Sequence, residues 1–355
     1  MSDPLMNTPS RPRRPALMFA LSVVFGVVAG ALLLEVAARW TLDSGMDFDL
    51  EMWKYARDIK RVSDEQAIGH EHRPDTAGTY MGVPVQINSF GLRDAEYDPE
   101  SKPAGVVRTV MLGDSLTFGW GVRAEDTPSK MLETLLNQSP KASKFEVINT
   151  GVGNYNTQME VAYFLTKGYK LKPDVVVLNY FINDAEPTPQ RKRSWLAEHS
   201  QAYVVVSSAI DKASRMFFGK SDWQSYYRNL YGDDEPGWIG AKASIEKLAK
   251  YCKENNIALV VVNYPELHQL KDYPFPDVTA AVEGVAENQN LPFLDLQPTV
   301  VDLVPATLWV SPTDAHPNKI ANERFAKAIY EKLLSSFPGN FTAAPQSVSS
   351  VGGSG

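Results

Sequence analysis

The sequence predicts an α/β protein, a three-layer α/β/α sandwich around a mostly parallel five-stranded sheet, with one transmembrane helix at its N-terminus. Three observations carry the prediction. Short β-branched runs recur at Val106–Leu112, Phe145–Asn149, Val175–Phe181, Ala258–Asn263 and Pro292–Leu296, separated by stretches long enough for helices. Such alternation implies parallel pairing. Val175-Val176-Val177-Leu178 and Leu259-Val260-Val261-Val262 are apolar without alternation, the pattern of strands covered on both faces. Ahead of them, Pro15 to Leu34 form a run of 20 residues without a charge. The remaining composition is ordinary: 355 residues, 44% hydrophobic and 22% charged, which excludes wholesale disorder and a polytopic membrane protein.

In chain order, the first element is the uncharged run. As a helix it spans about 30 Å, the hydrocarbon thickness of a bilayer. Arg11, Arg13 and Arg14 precede it, whereas Arg39 is followed by Asp43, Asp47, Asp49 and Glu51. The basic side is therefore expected in the cytoplasm. Residues 1–14 read as a basic cytoplasmic tail and 15–40 as a signal-anchor helix, with Glu35 and Arg39 one turn apart and Trp40 as an interfacial aromatic. This makes a single-pass protein of the inner (cytoplasmic) membrane whose main domain is periplasmic or otherwise extracytoplasmic. A cleaved signal peptide ending at Ala29-Gly30-Ala31 is the alternative; the run continues through Leu32, Leu33 and Leu34, past the usual length of a signal-peptide core.

Residues 41–105 mix charges with Pro and Gly and read as a short stalk helix followed by an irregular or β-rich lead-in. The main domain is expected over 106–338. Within it, residues 185–240 exceed a plain crossover and carry Trp195, Trp223, Tyr226, Tyr227, Tyr231 and Trp238. They are expected to cap the carboxyl edge of the sheet, with Trp223 and Tyr227 as candidates for substrate contact. The last helix opens at Pro317 and repeats Ala321, Phe325, Ala328, Ile329 and Leu333 at three- and four-residue spacing. Pro338-Gly339 ends it, and residues 339–355 read as a flexible tail.

Four short segments fall beside the sheet's carboxyl edge. Gly113-Asp114-Ser115-Leu116 follows the first strand, Asn149-Thr150-Gly151-Val152-Gly153-Asn154 the second and Ile182-Asn183-Asp184 the third, while Asp314-Ala315-His316 precedes the last helix. Ligands bind at this edge in open α/β sheets, and a helix start there presents N–H groups. A serine hydroxyl is a weak nucleophile until a base activates it, and its tetrahedral intermediate needs oxyanion donors. Serine, amide donors, acid and imidazole are the parts of acyl-group hydrolysis.

With these four blocks in this order, the sequence resembles the SGNH hydrolases, also called the GDSL esterase/lipase superfamily, over roughly residues 106–335. The resemblance implies a flavodoxin-like sandwich with Ser115 as nucleophile, His316 as general base then acid, and Asp314 as the partner of the imidazole. It implies oxyanion donors at the Ser115 backbone N–H, a backbone N–H of Gly153 or Asn154, and the Asn183 amide; Asp114 and Phe181 are further candidates beside the substrate. There are three departures. Asn154 stands where the family usually has a glycine, Phe181 replaces another glycine, and Asp314 lies two residues before His316 where three is the norm. Ile87-Asn88-Ser89-Phe90-Gly91-Leu92-Arg93-Asp94 looks like the segment preceding the serine block in membrane-anchored members tied to surface polysaccharides.

The expected activity is ester hydrolysis through an acyl-serine, removing O-acetyl groups from a cell-surface or exported glycan. Alternatives are an O-acetyltransferase working beside a membrane acyltransferase or polysaccharide-assembly partner, a lysophospholipase or thioesterase, and a non-catalytic glycan-binding subunit. A net charge of −7 without a basic stripe argues against nucleic acid. No cofactor is expected, and His70-Glu71-His72 without further nearby His or Cys makes a poor metal site. The single cysteine, Cys252, cannot form an intramolecular disulfide.

Overall fold

The computed structural model describes residues 14–97, 101–138, 144–188, 195–218 and 223–341. The basic tail up to residue 13 and the end of the chain past residue 341 lie outside the described residues. Helix α1 (Arg14–Ala37) is the apolar run; its described side chains face outward nearly all round, and a π-helical turn, Ala38–Leu42, closes it. A helix apolar on every face suits hydrocarbon as solvent. Asp47 then opens α2 (Phe48–Asp58) by accepting the Leu50 N–H at 3.0 Å.

The segment read as a short stalk helix and an irregular or β-rich lead-in is α2 followed by two antiparallel strand pairs. Strand β1 (Lys60–Val62) pairs antiparallel with β2 (His70–His72), and β3 (Ala77–Tyr80) with β4 (Val83–Gln86). Tyr55, Ile59, Tyr80, Val85 and Ile87 form a buried cluster with Phe118 and Trp120, which belong to the segment after Ser115.

The main domain continues through β5 (Val106–Leu112), α3 (Ser115–Phe118), α4 (Pro128–Asn137), β6 (Lys144–Asn149), α5 (Thr157–Thr166) and β7 (Val175–Tyr180). Next come α6 (Trp195–His199), α7 (Gln201–Phe218), α8 (Trp223–Asn229), α9 (Pro236–Glu254), β8 (Ala258–Asn263), α10 (Pro276–Asn288) and β9 (Phe293–Asp295). The hairpin β10 (Trp309–Ser311) and β11 (Asp314–Pro317) leads into α11 (Lys319–Ser336) and α12 (Pro338–Phe341). The five-stranded sheet has the order β6-β5-β7-β8-β9 and is parallel throughout, a flavodoxin-like order whose switch point lies between β5 and β7. Helices cover both faces. Val176 and Leu178 of β7 join the core of α5, α9 and α10, while Val175 and Val177 join that of α4 and α11.

Three expectations change. The crossover helix α9 begins at Pro236, inside the segment read as an insertion, α7 packs on α1 and α2, and α8 packs through Tyr227 on the cluster of Phe181, Ile182 and Phe275 that follows β7. Pro317 ends β11 and Asn318 caps α11 instead, its Oδ1 accepting from Ile320 at 2.9 Å and Ala321 at 3.3 Å. Phe341 is buried and stacked on Phe145 at 5.7 Å, so ordered chain runs past residue 339.

Candidate active site

β5 delivers Ser115 to the sheet's carboxyl edge. The Asp114 carboxylate accepts the Leu116 N–H at 2.8 Å and starts α3 with Ser115 at its first position. Gly113 is required, because a Cβ there would come within 2.0 Å of Thr117 Oγ1. Gly119 closes the turn at φ +81°, open to glycine at no steric cost. His316 Nε2 lies 2.8 Å from Ser115 Oγ, and His316 Nδ1 lies 2.6 Å from Asp314 Oδ1. Asp314 Oδ2 accepts the Trp120 indole N–H at 2.9 Å. Burial works against the Asp314 carboxylate, yet the hydrogen bond and charge of His316, with the Trp120 N–H, outweigh it and lower its pKa. Phe48 of α2 covers the imidazole, with ring centroids 5.7 Å apart.

The turn after β6 is fastened on two sides. Val152 N–H donates to Gly113 O at 3.2 Å, and Asn149 Nδ2 donates to Thr117 O at 2.8 Å. From the lead-in, Lys60 Nζ donates to Gly153 O and, at 2.9 Å, to Asn154 Oδ1; His70 Nε2 donates to Gly153 O at 3.0 Å. The Gly153 N–H donates to Tyr55 Oη at 3.2 Å, and Tyr55 Oη bonds His72 Nε2 at 2.6 Å. His72 also donates from Nδ1 to Gly91 O at 3.0 Å, and burial lowers its pKa to about 3, so it is neutral and its Nε2 accepts from the tyrosine. The donor expected at Gly153 is therefore committed elsewhere. Asn154, at φ +65°, carries an N–H without an acceptor among the described residues.

Asn183 follows β7, its Nδ2 3.4 Å from Asp114 Oδ2. Asp184 accepts the Phe181 N–H at 2.7 Å. Phe181 bridges toward an aromatic cluster in which Trp223 and Tyr227 pack on Phe275 at 5.4 Å and 6.1 Å. The structure thus brings Ser115, His316 and Asp314 into one hydrogen-bonded series, with Asp114, Asn183 and the Asn154 turn around it, and holds Trp223 and Tyr227 in a neighbouring cluster. Sequence reasoning misses Tyr55, Lys60, His70 and Trp120. His70 and His72 bond Gly153, Tyr55 and Gly91, which is where the histidines of His70-Glu71-His72 are used.

A hydroxyl bonded to an imidazole bonded to a carboxylate, at the switch point of a parallel sheet, is an arrangement for acyl transfer through serine. The sequence model of the GDSL-like Lipase/Acylhydrolase family matches residues 111–324. The chain belongs to that family, and the family match makes the class a hydrolase acting on ester bonds. Among solved structures it is similar to a G-D-S-L family protein from Desulfitobacterium hafniense, at 15% identity over 64% of this chain and 99% of that one, with a TM-score of 0.40. An acetylxylan esterase from Geobacillus stearothermophilus matches at 16% identity over 66% and 96%, TM-score 0.42. A two-domain esterase active on acetylated mannans matches at 17% identity over 65% and 49%, TM-score 0.42. No curated protein matches the chain.

Proposed function

We propose that this protein is a membrane-anchored serine esterase that removes O-acetyl groups from a cell-surface or exported glycan. The observation that carries the reading is the series Ser115 Oγ, His316 Nε2, His316 Nδ1 and Asp314 Oδ1, at 2.8 Å and 2.6 Å. In this mechanism Ser115 Oγ attacks the acetyl carbon while His316 Nε2 takes its proton. The Ser115 and Asn154 N–H groups and the Asn183 amide meet the oxyanion, and Asp114 holds that amide in place. Collapse breaks the ester bond, His316 protonates the departing sugar oxygen, and acetyl stays on Ser115. Water, deprotonated by His316, then releases acetate. Asp314 keeps the imidazole in the tautomer that presents Nε2 to the serine.

The anchor is α1, with Arg11, Arg13 and Arg14 on the cytoplasmic side. The acetyl ester and the glycan are suggested by the resemblance at Ile87–Asp94 and by the exposed aromatic Trp223 beside the site. The test uses full-length protein in detergent with aryl acetates and O-acetylated glycans. Wild type is expected to release acetate and to be labelled at Ser115 by a fluorophosphonate, and Ser115→Ala and His316→Ala to lose both. An active Ser115→Ala enzyme sinks the mechanism, and activity confined to long-chain acyl esters sinks the glycan assignment.

A further inference from the structure

The end of α1 is built into the enzyme. The Glu35 carboxylate accepts from Arg39 Nε at 2.7 Å, Ser200 Oγ at 2.7 Å, Gln201 N at 3.1 Å and Ala202 N at 3.1 Å. It thereby satisfies the first N–H groups of α7, which a helix N-terminus otherwise leaves unpaired. Gln201 Nε2 donates to Asp43 at 3.1 Å, Arg39 to His199 O at 3.4 Å and Trp53 to Ala197 O. These bonds pin α6 and α7 to the last turn of the apolar helix and to the chain that follows it as far as α2.

The surface so placed is unlike that of a water-soluble face. Tyr203, Val206 and Ile210 form an exposed stripe on α7 at three- and four-residue spacing, and Ile210 is 63% exposed. Trp195 and Leu196 of α6 are exposed beside them, and Trp40, on the span's own end, is 86% exposed. Trp and Tyr gather at the level of lipid headgroups, and helices that lie in that layer carry an apolar stripe on one face. The stripe is continuous, through the Glu35 bonds, with a helix that is apolar on every face.

We propose that α6 and α7 are a membrane-docking surface, with Trp40, Trp195, Tyr203, Val206 and Ile210 seated in the headgroup layer of the bilayer that α1 crosses. The proposal rests on α1 being a membrane span. It goes beyond the esterase reading, because it fixes the part of the enzyme that lies against lipid. Hydrophobic burial and the fixed end of α1 act together: docking of α7 costs little further orientation once the span is inserted.

Full-length protein in vesicles of phosphatidylethanolamine and phosphatidylglycerol tests it. Val206→Cys and Ile210→Cys carry an environment-sensitive fluorophore, with two positions so that one poorly folding variant does not decide the outcome. Cys252 is buried and gives the unlabelled blank. Val24→Cys reports on the span and Lys327→Cys, at an exposed position of α11, on bulk water. The expected result is blue-shifted emission at 206 and 210, quenched by lipids spin-labelled near the carbonyls and shielded from aqueous iodide, with Lys327→Cys open to iodide. If 206 and 210 are as open to iodide as 327 while 24 is shielded, the docking surface is overturned and the span stands. If 24 is also open, the span fails and the proposal with it. Shielding that persists in lipid-free amphipol at a doubled mass shows a second copy on this face and overturns lipid docking.

Discussion

Asp314 and His316 share one face of β11, because side chains two residues apart on a strand point the same way. That is why the unusual spacing still yields a 2.6 Å contact. Asp314→Asn is expected to lower kcat by roughly three to four powers of ten, because the amide donates where the carboxylate accepts and selects the wrong tautomer. The pKa of Asp314 is lowered in the fold, so its ionisation stabilises the native state above the unfolded carboxylate value near 4 and ceases to do so as pH falls through the folded value. Thermal melts of wild type and Asp314→Asn should therefore differ most at neutral pH and converge on acidification. The parts of the triad were legible because each stands in a short block with its own turn residues. Trp120 was not, because an indole N–H that holds a carboxylate 194 positions away leaves no local pattern.

At the scale of elements, α2, β1 and β2 reach the site from outside the segment the family model matches. Tyr55, Lys60 and His70 hold the Gly153–Asn154 turn, and with it the direction of the Asn154 N–H. Lys60→Met and Tyr55→Phe are each expected to lower kcat roughly tenfold with KM little changed, since an oxyanion donor matters most in the transition state. Equal losses in kcat and thermal stability, with KM raised, would reduce this role to packing. The strands of the sheet were readable from their unbroken apolar runs. The lead-in was readable as a short helix and a β-rich stretch, but its hold on the site was not, because Lys60 and His70 act on residues 93 and 83 positions further on. On α5, Glu160 is fully buried and neither carboxyl oxygen has a partner among the described residues. Burial, then the Asp184 and Asp114 charges, raises its pKa well above the usual range. Its proton is retained in the fold and released on unfolding, so stability is lost as pH rises from about 4 through the folded value. Glu160→Gln should raise stability at pH 8 and leave it unchanged near pH 4, measured by denaturant unfolding.

For the whole molecule, two sets of contacts on either side of residue 45 decide how the parts work together. On one side the last turn of α1 is bonded to α7; on the other Tyr55 and Lys60 stand against the turn beside Ser115. The N-terminal apolar helix was readable as a run of uncharged residues, but its union with a helix 165 positions later was not, since Glu35 and Ser200 are ordinary polar residues until the fold joins them. Phe48, on the same helix as Tyr55, lies on the His316 imidazole, so few residues of free chain separate the apolar helix from the Ser115–His316–Asp314 series. A flexible tether would let a catalytic domain sweep a hemisphere of its own length. On the proposed reading this one is a cutter set at a fixed height: with α1 across a bilayer, Ser115 would work a thin layer parallel to it, and an ester would be cut when brought to that level. Substrate supply, by lateral diffusion or by passage of a growing chain, then sets which bonds are reached.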